Sequence, residues 1–124
     1  MIPQDFRKVH LELAREPGHP EGDSRHGYDL LIPLGDDGRI DAASWREHRA
    51  ATRIRRFRPG EADLVGVLAR KPGGSWYFDY AEGDTDNEPG FRFGDETFVP
   101  GEYVSIREND GAMHTFRIIS VELP

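Results

Sequence analysis

The chain has 124 residues and a formal charge of −7, with 36% hydrophobic and 10% aromatic residues and no cysteine. A length of this order suits one domain with one real core, and the missing thiols exclude a disulfide framework, cysteine nucleophiles and thiolate metal sites. The N-terminus MIPQDFRKVH carries no secretory pattern and no run approaches ~18 apolar residues, so a cytoplasmic protein without a membrane span is expected.

Val9, Leu11 and Leu13 alternate with His10 and Glu12, the period-two pattern of a half-buried strand. Residues 15–27 hold turn formers and no apolar side chain, which predicts a loop. Tyr28, Leu30, Ile32 and Leu34 alternate again, and Pro33 marks an edge position or the strand's end. After the Gly35–Gly38 turn, one short helix is expected over 41–50. Asp41 caps it, Ile40 and Trp45 have the spacing of a hydrophobic staple, and Arg46 and Arg49 suit its negative end.

Strands follow over 52–57, 64–69 and 75–80. The last two make a hairpin around Lys71-Pro72-Gly73-Gly74, with Trp76, Phe78 and Tyr80 on one face. Those rings either fill the core or line a ligand pocket, and the core is the simpler use. Residues 81–96 read as an acidic loop. A closing hairpin spans 103–108 and 113–123, with Phe116 and Ile118 on one face of its last strand and Ile119, Val121 and Leu123 on the other. Seven or eight short strands and one helix predict an all-β fold, a small partly open barrel or sandwich formed as a single domain over 1–124.

Charge is distributed unevenly. The segment 46–58, REHRAATRIRRFR, holds six arginines and one glutamate. It is a local positive field on an otherwise acidic chain. As a strand, its second half puts Arg53, Arg55 and Phe57 on one face and Ile54, Arg56 and Arg58 on the other. Arginine forks match carboxylate and phosphate, so Arg49, Arg53, Arg55, Arg56 and Arg58 form a candidate anion- or partner-binding strip. The competing expectation is that they pair with Glu82, Asp84, Asp86, Glu88, Asp95 and Glu96 of the same molecule.

Other chemistry is thinly supported. Asp84, Asp86, Glu88 and Asp95 fall at calcium-loop positions, but Pro89 stands where the bend needs glycine, so no metal is expected. His10, His19, His26, His48 and His114 show no metal-ligand spacing, although His10 and His114 could meet across strands. Ser75 in PGGSWY lacks a nucleophile elbow, Asp79 with Glu82 is one pair among many acids, and no glycine loop cradles phosphate. Phe91 and Phe93 suit a lid over a barrel end.

The stretches HGYDLLIPLGDDGRID, WREHRAATRIRRF, GSWYFDY and FVPGEYVSI with TFRIISVEL resemble a group of short, uncharacterised bacterial all-β proteins with no assigned activity. The resemblance implies a self-contained bacterial β domain and transfers no site residue. The closing hairpin is also similar to that of SH3-like and split-barrel modules, and fold alone does not imply function. The expectation is a non-catalytic binding module using the arginine strip for an acidic protein partner or small anion, without cofactor or nucleic acid. The alternatives are a small enzyme or ligand-binding barrel with its site under Phe91 and Phe93, and a self-associating structural protein.

Overall fold

The computed structural model of the chain describes residues 2–80, 96–108 and 110–124, together with the backbone of 88–90. Its strands are β1 (Phe6–Leu13), β2 (Asp23–Pro33), β3 (Arg53–Phe57), β4 (Leu64–Arg70), β5 (Trp76–Tyr80), β6 (Glu88–Gly90), β7 (Tyr103–Arg107) and β8 (Met113–Glu122). One helix, α1 (Ala42–His48), runs on into a 3₁₀ turn at Arg49–Ala51. All strand pairs are antiparallel, in the order β6-β5-β4-β3-β2-β1-β8-β7. The sheet curls into a partly open barrel, and β6 and β7 at its two ends come close to each other.

The period-two signals fall where expected. Val9, Leu11, Leu13, Tyr28, Leu30, Ile32, Ile54, Leu68, Trp76, Phe78, Tyr80, Val104, Ile106, Phe116 and Ile118 make one buried cluster inside the curl. The three rings of β5 fill this core. Tyr28 meets Phe78 at 5.3 Å and Phe116 at 5.0 Å between centroids, tilted or edge-on as aromatic quadrupoles favour.

α1 closes one end of the barrel. Asp41 caps it as its sequence position implies, Oδ1 accepting from the amides of Ala43 and Ser44. Trp45 is buried edge-on against Trp76, and its Nε1–H donates to the Leu68 carbonyl at 2.9 Å. A helix of seven residues does not hold by itself, and this tryptophan anchors it. The α-helical part stops at His48 and the run continues as the 3₁₀ turn to Ala51, where Thr52 ends it. The buried Thr52 hydroxyl donates to the Arg49 carbonyl and accepts from the Leu68 amide, tying the 3₁₀ turn to β4.

Three local expectations change. Within the expected 81–96 loop, residues 88–90 are strand β6, because they pair with Trp76–Phe78 of β5. Residues 23–27 are strand, not loop, because Gly27 is laddered on both sides, opposite Glu12 and Phe57. A side chain there would run into the Leu11 carbonyl, so glycine permits the close strand approach. In β8 a bulge replaces the two clean faces. Ser120 lies opposite His10 and Ile118 opposite Leu11, which leaves Ile119 as the extra residue. Ile118 and Val121 both pack on the core, while Ile119 is 41% exposed.

The bulge is testable by paired truncation. Ile118→Ala should cost about 2–5 kcal/mol in urea unfolding as a buried cavity opens. Ile119→Ala should stay within about 0.5 kcal/mol. Equal losses at both sites would mean that the bulge is misplaced.

Candidate functional site

Strand alternation decides the fate of the arginine cluster. Counting outward from Ile54, whose side chain is in the core, Arg56 and Arg58 continue the inward parity while Arg53 and Arg55 point out. Arg49 lies in the 3₁₀ turn, exposed. The five residues therefore form no single strip. They are divided by the sheet between the barrel interior and its outer face.

Inside, the two arginines meet acids at the end of the barrel opposite α1. Arg56 is 4% exposed, lies 5.9 Å over the Tyr80 ring and has Glu61 at 3.7 Å. Arg58 reaches the same Glu61 at 3.7 Å and places Nη2 3.0 Å from Glu108 Oε1. Glu108 has no solvent exposure in its side chain. Its carboxylate accepts the Tyr28 hydroxyl at 2.5 Å and faces His26 Nε2 at 3.1 Å. His114 Nε2 stands 3.6 Å away, at ion-pair distance. His114 also faces Glu16 at 3.1 Å and Asp110 at 3.3 Å. His114 thus meets His26, at 6.0 Å between ring centroids, and not His10.

Burial works against the Glu108 carboxylate, but hydrogen bonds from His26 and Tyr28 and the charges of His26 and Arg58 outweigh it, holding its pKa at about 2. Burial also disfavours the His114 imidazolium, and there the hydrogen bonds to Glu16 and Asp110 with the neighbouring carboxylate charges win, raising the pKa above 6.5. A guanidinium seated on Glu108 leaves little room for a metal cation. Among the described residues no group of His, Asp and Glu has metal-holding geometry.

The outer face is organised in cross-strand rows. One row runs Lys8, Leu31, Arg53; the next runs His10, Asp29, Arg55, Val65. Arg55 is braced, donating from Nε to Asp29 and from Nη1 to Asp63 at 2.8 Å, and its guanidinium lies 5.1 Å over the Phe57 ring. Lys8 and Arg53 have no carboxylate within ion-pair distance among the described residues. These two rows enclose a groove of about 480 Å³, with Leu31 and the 49%-exposed Val65 among its walls.

Among the described residues, Asp29, Glu61, Asp63 and Glu108 meet these arginines. Of the pairing expected with Glu82, Asp84, Asp86, Glu88, Asp95 and Glu96, every side chain but that of Glu96 lies outside the described residues, as do the calcium-type spacing and the Phe91/Phe93 lid. Reasoning from sequence missed Glu108, His26, His114, Tyr28 and Asp29 as site members. A signal for four of them existed: Glu108 continues the parity of Val104 and Ile106, His114 that of Phe116 and Ile118, and His26 and Tyr28 that of Leu30.

Two measurements test the buried cluster. Glu108→Gln should destabilise by about 3–5 kcal/mol, because Arg58 loses its charge partner inside the fold. Tyr28→Phe removes one donor and should cost about 1–3 kcal/mol. Because the folded pKa of Glu108 is depressed, its contribution is complete above the ordinary value of 4.5 and disappears as pH falls toward about 2. Roughly 3 kcal/mol should be lost over that window. His114 has the opposite sign: its contribution is full below 6.5 and is lost as pH rises through its raised folded pKa. An unfolding free energy that is flat from pH 5 to 2 would contradict the assignment.

Comparison with protein-family models, with curated proteins and with solved structures finds no match to this chain, so its functional reading rests on its own residues.

Proposed function

We propose that the chain is a cytosolic, non-catalytic binding module that holds an acidic, partly apolar segment of a protein partner on the outer face of β1–β4. The observation that carries this reading is the pairing pattern of the cations. Arg56 and Arg58 are engaged by acids in the interior, and Arg55 is braced by Asp29 and Asp63. Arg53 and Lys8 keep their charge at the edge of an exposed apolar floor. An extended segment with alternating acidic and apolar side chains fits both features, and the groove is open enough to take a strand rather than enclose a small molecule.

The net charge of −7 does not defeat such a partner. At physiological ionic strength, charges more than about 8 Å away are largely screened, so nearby Arg53 and Lys8 set the local potential. Binding of this kind takes much of its affinity from the apolar floor and much of its selectivity and on-rate from the cations.

The reading is tested with a fluorescein-labelled peptide of alternating glutamate and leucine, followed by anisotropy at about 50 mM salt. Arg53→Glu should weaken binding about tenfold or more, whereas Arg107→Glu on distant β7 should leave it unchanged. Loss of affinity in both variants, or in neither, would remove the groove as the docking surface.

A further inference from the structure

His10 lies on the outer face of β1, beside the groove residue Asp29, and its surroundings restrict its protonation state. Nδ1 lies 2.7 Å from Asp29 Oδ1 and Nε2 lies 2.9 Å from Glu12 Oε2. Ionised carboxylates only accept, so a ring that satisfies both must donate from both nitrogens, and only the imidazolium can. Asp29 also accepts from Arg55, which donates to Asp63 as well. The hydrogen-bonded row therefore runs Glu12–His10–Asp29–Arg55–Asp63 across three strands and the loop after β3. Asp29 and Arg55 line the docking groove. Glu12 lines a second groove of about 610 Å³ beside Arg15, Glu21, Tyr103 and Arg117.

We propose that His10 is a proton-linked control on the docking groove, holding it receptive to an acidic partner while protonated and making it repel that partner once the proton leaves to solvent. This deepens the docking reading above and rests on it. A neutral imidazole keeps one N–H and turns a lone pair toward the other carboxylate. One of the two contacts must then open, and Asp29 loses a counter-charge whichever one does. Three carboxylates, Glu12, Asp29 and Asp63, then face the single cation Arg55 instead of two cations.

The other groups around the ring do not replace the lost charge. On β1 it is flanked by Lys8 and Glu12, and Lys8 sits opposite Glu122 of β8. On β8 its own register partner is Ser120, with Arg117 opposite Glu12. From β3, Phe57 stacks face to face on the ring at 5.7 Å and 7° and carries no charge. Burial works against the imidazolium, but the hydrogen bonds to Asp29 and Glu12 and the charges of the same two carboxylates outweigh it and raise the pKa above its ordinary value of 6.5.

The test follows the peptide affinity by anisotropy between pH 5.5 and 9, and the His10 ring and Arg55 Nε–H by NMR over the same range. Peptide affinity should fall about three- to tenfold as pH rises through the His10 midpoint, as expected for one added charge near the groove. The Arg55 resonance should move with that same midpoint. Glu12→Gln should lower the midpoint, and His10→Gln should abolish the pH dependence while still binding peptide. Affinity that does not vary with pH, or varies equally in His10→Gln, overturns the proton control alone. A peptide that binds at no pH overturns the docking reading and the control with it.

Discussion

The fold depends on a carboxylate that has been taken out of water. Removing Glu108 from solvent costs several kcal/mol unless its hydration is replaced, and here the Tyr28 hydroxyl and the His26 imidazole face it at hydrogen-bond distance while the Arg58 guanidinium and the His114 ring stand at ion-pair distance. Those groups come from β2, from the end of β3 and from β8, while Glu108 itself follows β7. In the sheet, β3 and β7 are separated by β2, β1 and β8. No ladder hydrogen bond joins β3 to β7, so the carboxylate spans the interior of the curl and fixes how tightly it closes at that end. The opposite end is set by different chemistry, the Trp45–Trp76 contact and the indole bond to Leu68.

That one interaction also explains why so arginine-rich a segment belongs to a strand. An inward-facing arginine is intolerable in an apolar core, but at the last positions of β3 it arrives where Glu108 and Glu61 wait. The Arg56 guanidinium lies over the Tyr80 ring as well as near Glu61, so the charged head has an aromatic face and an acid around it. Breaking this arrangement leaves a buried charge, which is why the cluster matters more to stability than exposed ion pairs of the same length.

The outer face obeys the same alternation with a different result. Its charges stay in partial contact with water, so pairing there orients groups rather than stabilising the fold. The row through His10 and Arg55 is ordered because His10, Asp29 and Arg55 each have two partners. Arg53 and Lys8, one row away, have none among the described residues. A surface with one neutralised row beside one open row presents a directional potential over an apolar floor.

The sequence by itself determined most of the strands, the capped helix, both hairpins and the all-β barrel class, because period-two patterning and turn residues act locally; β6 at 88–90, read as loop, was not among them. It also contained the split of Arg53 and Arg55 from Arg56 and Arg58, since alternation is a property of one strand. It did not reveal which acids would meet them. Asp29, Glu61 and Glu108 stand 26, 5 and 50 residues from Arg55, Arg56 and Arg58, and only the folded register brings them together. The β8 bulge and the strand at 23–27 were hidden for the same reason, because pairing with β1 decides both. What tertiary structure alone supplied was the meeting of strand ends, where a polar residue at the close of each apolar parity finds its partner through space and not along the chain.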